Sequence, residues 1–246
     1  MTMLRLKNLN LLCSRDELAS LPEGKLLINT INAYSYNKAR KDALFAEALM
    51  KGGALVPDGM SIVKSCRLIH AKSQPRERIA GWDLFSFEMN RLEKLAKESG
   101  KRKTVMFMGC TNQVLDLITK RTAEVFPHLD VATYSPPFRK EFSDMESKKM
   151  IDAINASHPD LVWIGMTAPK QEKWVYSHWE ELDIHCHVGT IGAVFSFFAG
   201  TEERAPLWWQ THGLEWLYRF INNPKRTWKR YVLGNPLFLW NILVHE

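Results

Sequence analysis

A chain of 246 residues, 46% hydrophobic and 24% charged, can bury a full core and is too evenly balanced for wholesale disorder. Its formal net charge of +6 favours anionic partners (phosphates, nucleotides, nucleic acid or acidic lipid) without choosing among them. The four cysteines, Cys13, Cys66, Cys110 and Cys186, are far apart and contain no C-x-x-C pair, so they read as reduced thiols, neither a zinc knuckle nor a disulfide framework.

Along the chain, the first ten residues alternate Leu4, Arg5, Leu6 and Lys7 and have no continuous apolar run, so no signal peptide is expected. Short β-rich runs at 26–31, 105–108, 130–134, 161–164 and 185–188 alternate with helical patterns at 36–50, 83–97, 113–126, 144–156 and 170–182. In the first of these helices Ala39, Ala43, Ala46 and Met50 share one face. The alternation predicts an α/β fold with a mostly parallel sheet flanked by crossover helices. After Gly200 the texture changes. Helical patterns at 208–222 and 225–233 are separated by Pro224, and Gly234-Asn235-Pro236 sets off a short apolar tail. The expected division is a catalytic-type domain over residues 1–200 and a helical appendage over 201–246. No apolar stretch approaches the ~20 residues of a membrane-spanning helix, so contact with a membrane would be peripheral, from the cytoplasmic face.

Loops that follow parallel strands gather at one edge of the sheet, where open α/β folds bind ligands. Four predicted loops there carry polar groups. Thr30 and Asn32 close the first strand. Asp58 sits in the Pro/Gly-framed turn Pro57-Asp58-Gly59, which enters a helical pattern from Ile62. Gly109 opens Gly109-Cys110-Thr111-Asn112, a turn able to face a phosphate. Lys170 and Gln171 start the helix after Gly165-Met166-Thr167-Ala168-Pro169. Each has a plain structural reading as a cap, strand-end hydrogen-bonder or solvated side chain. Together they point to a nucleotide or sugar-phosphate pocket. Phosphate-loop, dinucleotide and G-x-S-x-G motifs are absent. So is a D-x-D metal motif, and His185 and His187 read as core or rim residues, so no metal or other cofactor is expected.

Residues 200–231 interleave Trp, Tyr and Phe with Arg204, Arg219, Lys225, Arg226, Lys229 and Arg230, followed by the tail residues Leu237, Phe238, Leu239, Trp240 and Ile242. Rings with a cationic rim suit an apolar–aqueous boundary or a nucleic-acid strand.

Five pieces of the chain, in order, resemble the WecG–TagA–CpsF family of bacterial glycosyltransferases. They are Thr30-Ile31-Asn32; Pro57-Asp58-Gly59; the block Glu77-Arg78 to Gly81 and Asp83; Ala168-Pro169-Lys170-Gln171-Glu172 with Trp174; and Arg204-Ala205-Pro206 with Gly213-Leu214-Glu215-Trp216-Leu217-Tyr218-Arg219. The resemblance implies a Rossmann-like, inverting enzyme. It would move a hexosyl or N-acetylhexosaminyl group from a UDP-sugar to a polyprenyl-diphosphate-linked acceptor in surface-polysaccharide or cell-wall synthesis. It assigns Asp58 as general base, which suits removal of a proton from the acceptor hydroxyl as that oxygen attacks the anomeric carbon. It places Thr30, Asn32, Arg78 and Gln171 in the pocket; with Asp83, Gly109 and Lys170 these are the candidate substrate-binding residues, and Arg204, Arg219, Lys225, Arg226 and Arg230 of the aromatic-basic segment are the candidate acceptor- or membrane-binding ones. Arg78 would offset diphosphate charge. The chain departs from the family pattern at Ser196, where an acid is usual, at Thr167, and at Pro136-Pro137-Phe138.

Two other readings fit the residues: a nucleic-acid-binding protein with an aromatic-basic tail, and a catalytically silent, membrane-associated subunit of the same fold. The concentration of cations in the appendage disfavours nucleic acid as a partner, and intact Asp58 disfavours the silent subunit. Self-association into a homo-oligomer is left open.

Overall fold

The computed structural model describes residues 4–246, with the side chain of Arg226 excepted. Six parallel strands form one sheet: β1 (Leu26–Ile31), β2 (Ala54–Pro57), β3 (Lys103–Gly109), β4 (Leu129–Tyr134), β5 (Leu161–Gly165) and β6 (His187–Thr190), in the order β2-β1-β6-β5-β3-β4. Helices cover both faces. They are α1 (Ala33–Ala39), α2 (Ala43–Lys51), α3 (Met60–Leu68), α4 (Gly81–Ser99), α5 (Asn112–Val125), α6 (Asp144–Ala156), α7 (Lys170–Ser177) and α8 (Val194–Phe198). Double coverage explains why β5 is buried along its whole length.

Alternation along the strands divides the core. Val105, Phe107, Leu161 and Trp163 point to one face, where they pack with Phe85, Phe195 and Phe198. Met106, Met108, Val162 and Ile164 point to the other, against Met150, Ile154, Trp174 and Val175. The period of two therefore serves two apolar layers at once. Burying such side chains stabilises the fold by roughly 1.5–3 kcal/mol each.

Several elements differ from the sequence expectation. β2 was not foreseen: four residues ending in proline are a weak strand signal, yet Leu55, Val56 and Pro57 are buried beside β1. The helix expected over 36–50 is two, because the Asp42 carboxylate accepts the Phe45 backbone N–H at 3.1 Å and starts a second one. β6 begins at His187, two residues after the predicted start.

The largest departure lies after residue 200. The helix expected over 208–222 breaks at Gly213 into α9 (Leu207–Thr211) and α10 (Glu215–Asn222). α11 (Pro224–Trp228) runs through a wide π-helical turn at Lys229–Leu233 into α12 (Gly234–His245). Pro236 does not break the chain; it lies three residues into α12, directly after the π-helical turn, a usual companion of a proline inside a helix. The tail is thus a helix, and its buried residues Phe238, Asn241 and Ile242 pack on α1 in a third core that includes Leu4, Leu6, Tyr36 and Phe45. Asn241 donates to Asn37 at 3.0 Å, and Asn37 donates to the Gly234 carbonyl at 2.7 Å. Glu246 accepts the backbone N–H groups of Leu6 and Lys7 and the Tyr36 hydroxyl. Among the described residues no helix is long and apolar enough to cross a membrane.

Candidate active site

The site forms where β1 and β2 end. Asn32 caps α1 through its side-chain oxygen, which accepts the Ser35 N–H at 3.1 Å, while its Nδ2 reaches Asp58 Oδ2 at 3.4 Å. Asp58 is itself fixed to β1: its backbone N–H donates to the Ile31 carbonyl at 2.8 Å. The turn then needs glycine, because Gly59 adopts φ +140° before α3 begins. The sequence Pro-Asp-Gly thus places a carboxylate at the strand end with its backbone already committed.

Burial pushes the Asp58 carboxyl above the ordinary carboxylate range, and the negative charge of Glu215 adds to this. Arg219, the Asn32 amide and Arg230 oppose the shift without cancelling it. Desolvation with a nearby like charge is the usual way a protein makes a carboxylate more basic.

The cations come from the loop before α4 and from the C-terminal segment. Arg78, in the loop before α4, donates to Glu215 Oε2 at 3.0 Å, and Arg219 donates to Glu215 Oε1 at 2.5 Å from one turn along α10. Arg204 lies over the Trp82 ring at 5.5 Å and acts electrostatically on Glu215, which is buried. Arg230 lies over Tyr34 at 5.0 Å, and Arg219 over Phe197 at 4.9 Å. The turn at Gly213 sits against Met60, the first residue after the Asp58 turn. Nε of both Arg219 and Arg230 is buried with no acceptor. Buried donors without partners are rare in native proteins, and two guanidinium donors beside one carboxylate suit an anionic ligand.

The structure therefore brings Asn32, Asp58, Arg78, Arg204, Arg219 and Arg230 together. It sorts the appendage cations in a way the sequence did not: Arg204, Arg219 and Arg230 turn inward, which corrects their reading as membrane-facing groups, whereas Lys225 and Lys229 are exposed. The side chain of Arg226 lies outside the described residues. Thr30 is half-buried on β1 opposite Val56, two residues before Asn32.

Four other candidates have structural duties. Asp83 caps α4 by accepting the Ala80 N–H at 2.8 Å and pairs with Arg15 at 3.3 Å. Gly109 packs on Gly165, whose backbone a Cβ would strike, so the close strand spacing there requires glycine. Lys170 donates to the Arg139 carbonyl at 2.8 Å and lies 4.2 Å from the centroid of Phe142. Gln171 is buried, accepts the Met166 N–H at 3.1 Å and donates to Glu172 at 2.8 Å, which braces the loop after β5.

Two carboxylates had no role in the sequence reading. Glu215 carried a usable signal, since its spacing to Arg219 puts both on one helix face. Glu172 carried none: burial raises it to about 7, and its Oε2 has no partner.

A cavity of about 610 Å³ opens at the opposite edge of the sheet, lined by Arg91, Lys103, His158, Asp160, His185 and His187 among others. His187 is a buried residue there, as expected, but with a carboxylate partner: Nδ1 meets Glu88 at 2.9 Å and Nε2 meets the Pro22 carbonyl at 2.9 Å. Burial disfavours charge on the ring, but the Glu88 carboxylate and the Pro22 carbonyl outweigh it and hold the imidazole above its usual range. Among the described residues no group of three His, Cys, Asp or Glu side chains is placed to hold a metal.

Comparison with known proteins agrees with this geometry. Residues 5–246 match the model of the glycosyl transferase WecG/TagA/CpsF family. An N-acetylglucosaminyldiphosphoundecaprenol N-acetyl-beta-D-mannosaminyltransferase of Bacillus spizizenii is 31% identical over 85% of this chain and 75% of its own. Enzymes of the same name from Bacillus subtilis and Staphylococcus aureus are 29% and 27% identical, over 89% and 91% of this chain and 80% and 82% of theirs. With a match across nearly the whole length, the chain is a glycosyltransferase of the WecG/TagA/CpsF family.

Proposed function

We propose that this enzyme transfers an N-acetylhexosamine, with inversion, from a UDP-sugar to a polyprenyl-diphosphate-linked N-acetylglucosamine during cell-wall or surface-polysaccharide synthesis. The observation that carries the reading is the pairing of one basic carboxylate, Asp58, with guanidinium donors that have no acceptor, on Arg219 and Arg230. The names of the relatives support the acceptor class. In this reading Asp58 takes the proton of the acceptor hydroxyl as its oxygen bonds to the anomeric carbon. The bond from that carbon to the diphosphate breaks, UDP leaves, and arginines meet the charge that grows on it. The guanidinium cluster, rather than a resident metal, fills that role, so activity should survive EDTA.

The second part of the proposal is peripheral attachment to an anionic membrane. Trp240, Leu243 and Val244 of α12 are exposed, as are Leu207 and Trp208 of α9 and Ile221 of α10, with Lys225 and Lys229 nearby in sequence. Such a surface suits a leaflet that holds a lipid-linked acceptor. The deciding experiment incubates the protein with UDP-N-acetylmannosamine and a short-chain polyprenyl-diphosphate N-acetylglucosamine. A disaccharide-lipid product is expected; folded protein that makes none from this or other UDP-N-acetylhexosamines would overturn the reading.

A further inference from the structure

Glu215 is the first residue of α10, where a carboxylate also complements the helix dipole. Both of its oxygens are engaged, one by Arg78 from the sheet-bearing part of the chain and one by Arg219 from its own helix. It is buried, so this is not a solvent-screened surface pair. We propose that Glu215 is a positioning residue for the transfer reaction: by joining Arg78 to Arg219 it seats the C-terminal helices over Asp58 and aims their arginines at the diphosphate. The inference rests on the glycosyltransferase reading above for its chemistry, but not for its geometry.

Charge shows why a carboxylate is needed at this point. Arg78, Arg204 and Arg219 all act on Glu215, and without it three guanidinium groups would face one another in a partly buried space. With Glu215 and Asp58 set against Arg78, Arg204, Arg219 and Arg230, the site keeps an excess of two positive charges, which matches the roughly two negative charges of a diphosphate diester. Glu215 thus holds the arginines together without using up their charge. It also acts on the base. The groups that face Asp58 are Asn32 from the β1–α1 junction, Glu215 and Arg219 from α10, and Arg230 from the turn after α11. Of these only Glu215 makes the carboxyl harder to ionise, so removal of its charge should move the acid limb of kcat/KM to lower pH. Loosening that lets water reach Asp58 would shift the limb the same way, so the discriminating variant is Glu215→Asp, which keeps the charge and should keep the limb near its wild-type position.

The test uses the full chain with Glu215→Gln, Glu215→Asp and Glu215→Ala. Thermolysin should cleave Glu215→Gln and Glu215→Ala within residues 201–246 at least ~10-fold faster than wild type, with cleavage elsewhere unchanged. UDP measured by titration calorimetry should bind about tenfold or more weakly, the loss expected for misplaced charge-assisted donors. Glu215→Asp keeps the charge with a shorter reach and should be cleaved more slowly than Glu215→Gln. Wild-type cleavage and UDP affinity in Glu215→Gln would overturn the proposal, as would equal cleavage of the Asp and Gln variants. The cleavage arm needs no substrate: accelerated cleavage in a protein whose wild type binds no UDP would uphold Glu215 as the docking residue and sink the transferase reading instead.

Discussion

Tyr36 and Phe238 meet edge to face at 5.3 Å, which fastens the last helix of the chain to the helix that Asn32 caps. The contact links the far C-terminus to the catalytic edge. Phe238 is almost fully buried, so Phe238→Ala should cost about 3–5 kcal/mol through lost packing and a residual cavity. Urea denaturation measures this. A cost below about 1 kcal/mol would mean that α12 is not part of the cooperative core.

Asp58→Asn keeps the shape of the side chain and its contact with Asn32 but removes the base. UDP binding should persist while turnover falls ~10²-fold or more. In the wild type, burial and Glu215 raise the carboxyl, so kcat/KM should fall with acidification at a pH above that of an ordinary carboxylate. Near-normal turnover in the Asn variant would place the base elsewhere.

Arg78→Ala removes a donor at the site and leaves Glu215 with Arg219 and Arg204. UDP affinity should drop on the order of tenfold to a hundredfold, the range for loss of a charge-assisted hydrogen bond. Unchanged affinity in calorimetry would confine Arg78 to a structural role.

The placement of Asp58 and Asn32 was legible because local rules decide it: a strand end, a Pro-Asp-Gly turn and a helix cap act over a few residues. Arg78 was legible only through the family resemblance, since its partner is 137 residues away. The inward turn of Arg204, Arg219 and Arg230 was not legible, because an aromatic-basic helix looks the same whether its rings face lipid or its own domain. Contacts such as Trp216 with Tyr231 at 5.9 Å and Arg219 over Phe197 decide that question, and they are set by tertiary packing. Asp83 and Gln171 carry structural contacts that the motif did not announce. A motif marks residues that a loop needs as readily as those a ligand touches.

Glu172 makes a prediction about stability and pH. Burial raises its folded pKa from 4.5 to about 7, so its favourable protonated state holds below the unfolded value and is lost as pH rises through the folded one. The wild type should therefore lose stability between about pH 4.5 and 7, by on the order of 3 kcal/mol at most. Glu172→Gln keeps an acceptor for the Gln171 amide and cannot ionise. It should melt higher than wild type at pH 8, with the difference shrinking by pH 5. An equal melting temperature across that range would show that Glu172 ionises in an unseen polar setting.

The proposed membrane surface can be tested apart from the site, because different residues make up each. Lys225 and Lys229 are exposed, whereas Arg219 and Arg230 face Asp58, so only the lysines can be changed without disturbing the arginines. A cation near an anionic leaflet contributes about 1 kcal/mol, so Lys225→Glu with Lys229→Glu should weaken binding to phosphatidylglycerol vesicles by more than tenfold. Trp240→Ser with Leu243→Ser, at 61% and 72% exposed, removes apolar surface instead and should weaken binding at every salt concentration. Both double variants should retain UDP affinity, since neither pair touches the arginine cluster. Vesicle flotation at low and high salt distinguishes the two contributions. If both float as the wild type does, the exposed helices serve some other contact and the membrane half of the proposal is wrong.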